Sequence, residues 1–155
     1  MYDDLSSLNY KIVIANRFDE VIRILNEFDT MFKPSISERV INLHNYAEKI
    51  LKNAIVIYVI KNQDIVGFIA FYANNKISKE AYITQIAVKD RTNNKNIAKA
   101  LLQLCINLSK NNCMNVIKLE VYTYNKIALK FYKNNGFDFY KKATAQSIYM
   151  IKRLT

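Results

Sequence analysis

Two periods govern where apolar side chains fall in this chain, and each change of period marks the border of an element. Residues 10–16, YKIVIAN, are dense in β-branched side chains and predict a first strand. From Phe18 to Phe32 the spacing becomes helical, with Val21, Ile22, Ile24, Leu25 and Phe28 on the apolar side. Pro34, the only proline, ends that run. Ser35 or Ser37 is placed to cap a second helix reaching about Asn53, whose apolar positions are Val40, Ile41, Leu43, Ala47, Ile50 and Leu51. A strand pair follows in AIVIYVIKNQDIVGFIAFYANN, with Asn62-Gln63-Asp64 as its turn and Asn74-Asn75 as the next one. Residues 81–88 predict a strand, Lys95 to about Asn112 a helix, and 115–123 another strand. A short helix over 125–135 is capped by Gly136, and a hairpin near 137–144 and 147–154 closes the chain. The order βααβββαβαββ predicts an α+β fold, a single domain over residues 1–155 with a mostly antiparallel central sheet flanked by helices.

Function is expected to centre on residues 83–102, ITQIAVKDRTNNKNIAKALL. Ile83, Ile86 and Val88 give a β-branched strand, and Lys89 to Asn96 lacks any large apolar side chain. Ile97, Ala98, Leu101, Leu102 and Cys105 then recur at helical spacing. A strand that runs through a polar loop into a helix presents unpaired N–H groups at the positive end of the helix dipole. That arrangement suits phosphate or another anion.

Composition narrows the classes. At 155 residues, 51% hydrophobic and 23% charged, the chain has the make-up of an ordinary soluble domain. No apolar run approaches the ~20 residues of a membrane span, and the acidic, polar start MYDDLSSLNY is no secretory signal, so a cytoplasmic location is expected. Cys105 and Cys113 stand eight apart with no histidine nearby, which predicts ordinary thiols and no metal site. The net charge of +10 invites a nucleic-acid reading, but the lysines are scattered and no run of five basic residues occurs. A basic surface of this kind attracts anions and repels polycations.

Two stretches carry a family resemblance. Residues 88–102, VKDRTNNKNIAKALL, resemble the acetyl-CoA-binding motif of the GNAT superfamily of acyltransferases. Residues 119–137, LEVYTYNKIALKFYKNNGF, resemble its second signature: an LEV strand, an Asn, an Ala, an aromatic–Tyr pair and a Gly-Phe. The order of elements agrees, so the resemblance covers essentially the whole chain. In the first motif the family usually has Gln or Arg, two residues of any type, Gly, any residue, then Gly or Ala. That register falls on Asn93, Asn94, Lys95, Asn96, Ile97 and Ala98. Ala98 fits, whereas Asn96 stands where Gly is expected, Asn94 where another Gly often occurs, and Asn93 replaces the long polar residue. Asn tolerates left-handed backbone better than other non-Gly residues, so such a loop can still form.

The resemblance implies an N-acetyltransferase: direct transfer of acetyl from acetyl-CoA to a primary amine in a ternary complex, with no metal. It implies that backbone groups of Ile86 and Val88 pair with the pantetheine arm and that an N–H near Ile86 or Ala87 faces the thioester oxygen. It further implies that Asn94 to Lys99 offer N–H groups to the pyrophosphate, with Lys95 and Lys99 adding charge. Asn125 would touch the CoA arm besides capping a helix, and Tyr132 would give a proton to the departing thiolate. Glu120 sits twelve residues before Tyr132, the spacing seen in ribosomal-protein alanine acetyltransferases, where the glutamate is a candidate base. Period 2 turns it to the face opposite Leu119 and Val121, where it serves either as base or as a structural carboxylate. Glu80, Tyr82, Tyr124 and His44 are lesser candidates. The acceptor is expected to be a neutral or acidic amine rather than a polycation, neither nucleic acid nor membrane is an expected partner, and a homodimer is compatible with the sequence. The rival reading is a non-catalytic GNAT-like module that binds acyl-CoA or a protein partner.

Overall fold

The computed structural model of the chain describes residues 9–89 and 94–154, for Asn94 the backbone alone. Its elements are β1 (Lys11–Ile14), α1 (Phe18–Phe28), a 3-10 turn (Asp29–Met31), α2 (Ile36–Arg39), α3 (Leu43–Asn53), β2 (Ile55–Lys61), β3 (Asp64–Tyr72), β4 (Glu80–Val88), α4 (Asn94–Asn111), β5 (Val116–Tyr122), α5 (Lys126–Asn134), β6 (Asp138–Thr144) and β7 (Ser147–Arg153). The seven strands form one sheet in the order β1-β2-β3-β4-β5-β7-β6. Pairing is antiparallel for β1 with β2, β2 with β3, β5 with β7 and β6 with β7, and parallel for β4 with β5. The fold is therefore α+β with a mostly antiparallel sheet flanked by helices, as its residue pattern predicts.

The chain divides into two compact units, one of residues up to Phe71 with Gln85–Cys105, the other of Tyr72–Thr84 with Ile106 onward. In the first, α1 turns Val21, Ile24, Leu25 and Phe28 inward at helical spacing, and Phe28 meets Phe68 of β3 edge-on at 5.0 Å between ring centroids. Strands β2 and β3 are joined by Asn62 and Gln63, both at positive φ (51° and 70°). This is the geometry that lets a two-residue hairpin follow the strand twist. Of the second helix expected from Ser35 to Asn53, the structure makes two. Ser35 opens α2 as a capping box, its Oγ accepting from the N–H of Glu38 (3.3 Å) and its N–H donating to Glu38 Oε2 (2.8 Å). Val40 is then extended, and Asn42 starts α3 by accepting from the N–H of Asn45 at 3.0 Å. An Asn at that point favours a new cap over helix continuation. The first helix likewise stops at Phe28, short of the expected Phe32, and passes into the 3-10 turn.

In the second unit, Ile117, Leu119 and Val121 of β5 are buried, as are Tyr132, Phe137 and Met150. Helix α5 ends where expected. Gly136 has φ +88°, with its N–H bonded to the carbonyl of Lys133 (3.2 Å) and that of Phe137 to the carbonyl of Tyr132 (3.0 Å). This is a Schellman motif with glycine at its left-handed position.

Candidate active site

Within the first unit the site-bearing segment is the end of β4 and the start of α4. The parallel register of β4 with β5 runs from Glu80↔Val116 to Ile83↔Leu119 and stops there, although β4 continues to Val88. The N–H of Lys89 donates to the carbonyl of Val66 on β3 at 2.7 Å. Regular strand alternation then turns the backbone groups of Val88, and of Ile86 before it, away from β3. Ile86, Ala87 and Val88 are all half-buried. Gly67 of β3 makes their position possible. A Cβ there would lie 3.1 Å from Ile97 Cγ2, 3.2 Å from the Ala87 carbonyl oxygen and 3.3 Å from Val88 Cγ2. Strand β3, the tail of β4 and the first turn of α4 thus converge on the one β3 residue without a side chain.

The strand end is clamped from the other direction. Lys89 Nζ pairs with Glu27 Oε2 at 3.0 Å and lies 4.9 Å from the centroid of the Phe28 ring. Arg23 Nε holds the other Glu27 oxygen at 3.0 Å. Burial alone would raise the Glu27 pKa, but its hydrogen bonds and charge contacts with Arg23 and Lys89 bring it below the usual glutamate value. Beyond Lys89, α4 begins at Asn94, close to the expected Lys95. Ile97 is fully buried, Ala98 half-buried, and Lys95, Asn96 and Lys99 are exposed. The first N–H groups of such a helix have no partner within it. Asn93 and the Asn94 side chain lie outside the described residues. His44 stands on α3, its ring 4.5 Å from that of Phe18 and its Nε2 3.3 Å from Glu48.

One polar cluster of this unit has no counterpart among the residues singled out from sequence. Gln85 is only 5% exposed. Its Oε1 accepts from Arg39 Nη2 at 3.1 Å, and its Nε2 donates to the Tyr46 hydroxyl at 3.3 Å. The polar side chain buried on β4 is thereby satisfied by α2 and α3.

The other signature residues lie in the second unit. Glu120 projects opposite buried Leu119 and Val121, is exposed, and accepts a hydrogen bond from Ser147 Oγ at 2.6 Å. That hydroxyl also lies 2.7 Å from Thr144 Oγ1. Its partner is therefore a hydroxyl rather than a lysine or a backbone amide. Asn125 caps α5 by accepting from the N–H of Ala128 at 3.1 Å, so the capping role predicted for it is present. Tyr132 is 6% exposed, with its ring edge-on to Phe131 (5.4 Å) and Phe137 (5.6 Å). Glu80 pairs with Lys118 at 3.7 Å, and Tyr124 stacks on Tyr122 at 5.1 Å.

Two residues escaped the reading of the sequence. Gly67 carried a signal: the chain has only two glycines, and a lone glycine inside a strand pattern marks close backbone approach. Gln85 carried none, because its partners are 46 and 39 residues away.

No group of three or more His, Cys, Asp or Glu among the described residues is placed to hold a metal ion, and no helix among them is long and apolar enough to cross a membrane. A strand that outruns its parallel neighbour and leads into a helix N-terminus is one mark of the class, and the LEV…Asn…Phe-Tyr…Gly-Phe signature in the sequence is the other. The family model for the acetyltransferase (GNAT) family matches residues 18–137, and the chain belongs to that family. Among solved structures, a GNAT-family acetyltransferase from Staphylococcus aureus superposes with TM-score 0.75 at 21% identity, covering 94% of this chain and 99% of that one. The ribosomal-protein-S18-alanine N-acetyltransferase of Escherichia coli gives 0.71 at 18% identity, covering 94% of each. The PaiA N-acetyltransferase of Thermoplasma acidophilum, in complex with coenzyme A, gives 0.65 at 18% identity over 92% of this chain and 99% of that one. No curated protein sequence matches the chain.

Proposed function

We propose that the 155 residues form one acetyltransferase domain that moves acetyl from acetyl-CoA to the primary amine of a small-molecule or peptide acceptor by direct attack. The observation that carries this reading is the tail of β4. It leaves the β5 register at Ile83 and runs on to Val88 with backbone groups turned away from β3. A free strand edge of this kind pairs an extended amide-bearing chain as an added strand does, and the pantetheine arm is such a chain. The residues therefore fit the cosubstrate. Ile86 and Val88 hold the arm, and the Ile86 N–H, on the side turned away from β3, faces the thioester oxygen as charge develops there.

The first turn of α4, from Asn94 through Lys99, gives its N–H groups to the pyrophosphate, and exposed Lys95 and Lys99 add charge. Acetyl-CoA supplies the activated acyl group, and the chain supplies position and protons. Asn125 contacts the CoA arm while capping α5. The hydroxyl of Tyr132, whose ring packs edge-on against two phenylalanine rings, gives its proton to the leaving sulfur, and Glu120 takes the proton of the amine. The charge of +10 favours a neutral or acidic acceptor over a polycation.

Calorimetry with acetyl-CoA tests the cofactor half of this reading, and release of free CoA thiol across a panel of amines tests the transfer. Micromolar binding with turnover of at least one amine is the expected result. Binding without turnover of any amine would favour a non-catalytic acyl-CoA module, and absence of binding would remove the acetyltransferase reading.

A further inference from the structure

Two acids around the start of α2 are already engaged. Glu38 Oε2 accepts from the Ser35 N–H at 2.8 Å. Asp29 holds Ser37 through Oδ1 to its N–H and Oδ2 to its Oγ, both at 2.7 Å. These two carboxylates shape the start of α2 and leave Arg39 without an ionic partner. By contrast, Arg17 pairs with Asp19 and Glu20, and Arg23 with Glu27. No carboxylate among the described residues lies within 4.0 Å of the Arg39 guanidinium.

The same guanidinium is nevertheless held in place. Its Nε donates to the Ser35 carbonyl at 3.4 Å and its Nη2 to Gln85 Oε1 at 3.1 Å. Its central carbon stands 5.5 Å from the centroid of the Phe32 ring. Gln85 is in turn fixed by burial and by the Tyr46 hydroxyl. Of the five N–H donors of an arginine, three then have no partner among the described residues. An exposed arginine that is oriented by neutral groups and left uncompensated is suited to a carboxylate from outside the chain, which it can grip with two parallel hydrogen bonds.

Its location gives that carboxylate a meaning. Gln85 immediately precedes Ile86, and Gln85 and Ala87 lie on one face of β4 by strand alternation. Arg39 is thus tethered one residue before the backbone assigned above to the thioester. We propose that Arg39 is a specificity residue that binds the carboxylate of the acceptor, making the acceptor an amine that carries a carboxylate, with Gln85 as the positioning residue that aims the guanidinium. This rests on the acetyltransferase reading above.

The test is a panel of α-amino acids, dipeptides and ω-amino acids, each beside its C-terminal amide, with kcat/KM referred to the unprotonated amine. Acetyl-CoA affinity is measured on the same preparations. At least one acid is expected to exceed its amide by tenfold or more. Arg39→Gln should bring that ratio within twofold, through KM, while acetyl-CoA affinity and Tm hold. Arg39→Lys should restore part of the preference. Gln85→Leu should weaken it by raising the KM of the acid more than it lowers kcat, a split that a merely structural role would not produce.

Equal rates for every acid and its amide would overturn the proposal. So would an Arg39→Gln variant that loses both alike, or acetyl-CoA binding with no carboxylate-bearing amine acetylated. Failure to bind acetyl-CoA at all would instead overturn the acetyltransferase reading, and the role of Arg39 with it.

Discussion

In the strand-to-helix stretch from Ile86 to Lys99 the groups proposed to act are main-chain amides. From Leu119 to Phe137 they are side chains: the Tyr132 hydroxyl, the Glu120 carboxylate and the Asn125 amide. On that proposal the first stretch requires only that the backbone keep its course, which Asn in place of the family's Gly does not by itself prevent. Its sensitivity is displaced to whatever holds the backbone, above all Gly67, whose missing Cβ leaves room for Ile97, the Ala87 carbonyl and Val88. The second stretch has the opposite vulnerability. Removing one oxygen from Tyr132 keeps the ring that packs against Phe131 and Phe137 and takes away the group proposed to give the proton.

That contrast is sharpest at Tyr132→Phe. We expect kcat to fall about 100-fold or more, the scale of a lost general acid, with acetyl-CoA affinity retained and Tm lowered by no more than a few degrees. Calorimetry beside steady-state rates separates these quantities. A variant that kept its kcat would show that the second stretch is structural as well.

Gly67→Ala probes the first stretch through its support. The new methyl must displace a backbone carbonyl and two side chains, and overpacking of this sort costs about 1–3 kcal/mol. For a chain of 155 residues that corresponds to a Tm lower by several degrees. Because the displaced groups include Ala87 and the first turn of α4, acetyl-CoA affinity should fall by about tenfold as well, for a loss near 1.4 kcal/mol. A loss of stability with affinity unchanged would detach Gly67 from the site.

The other glycine is the control. Gly136→Ala places a side chain at φ +88°, where left-handed backbone costs an L-residue about 1–2 kcal/mol. Its Cβ would come 2.5 Å from Lys152 Nζ, the far end of a flexible side chain that can move away. Tm should fall by a few degrees in thermal melts, with acetyl-CoA affinity changed less than by Gly67→Ala. An equal loss of affinity in both variants would mean that general loosening, not the local path of β4, sets binding.

How far these features could be read beforehand follows from their range. Asn125 as a cap and Gly136 as a helix stop depend on neighbours within a few residues, and both are where the pattern places them. The strand and the short helix that carry the side-chain signature were legible for the same reason. The break between α2 and α3 is also local, but Val40 and Ile41 kept the apolar spacing unbroken and hid the cap at Asn42. The cradle at Gly67 and the grip of Gln85 on Arg39 depend on β3, β4 and two helices meeting. No window of the sequence contains those contacts.

Asn96→Gly carries the smallest expected effect and bears most directly on the departures from the family motif. Asn96 is exposed in the first turn of α4, next to buried Ile97. Its side chain thus lies on the solvent side of the turn whose N–H groups are proposed to hold the pyrophosphate. Glycine removes that side chain and should tighten acetyl-CoA binding about threefold, somewhat under 1 kcal/mol. Glycine also costs the free helix about 0.3 kcal/mol relative to Asn, so Tm without ligand should fall slightly while the stabilisation by added acetyl-CoA grows. If binding is unchanged, the asparagine is neutral and the first stretch works through its backbone alone. If it weakens, the Asn96 side chain itself contributes to the pyrophosphate site, and the division between backbone-borne and side-chain-borne function fails at this position.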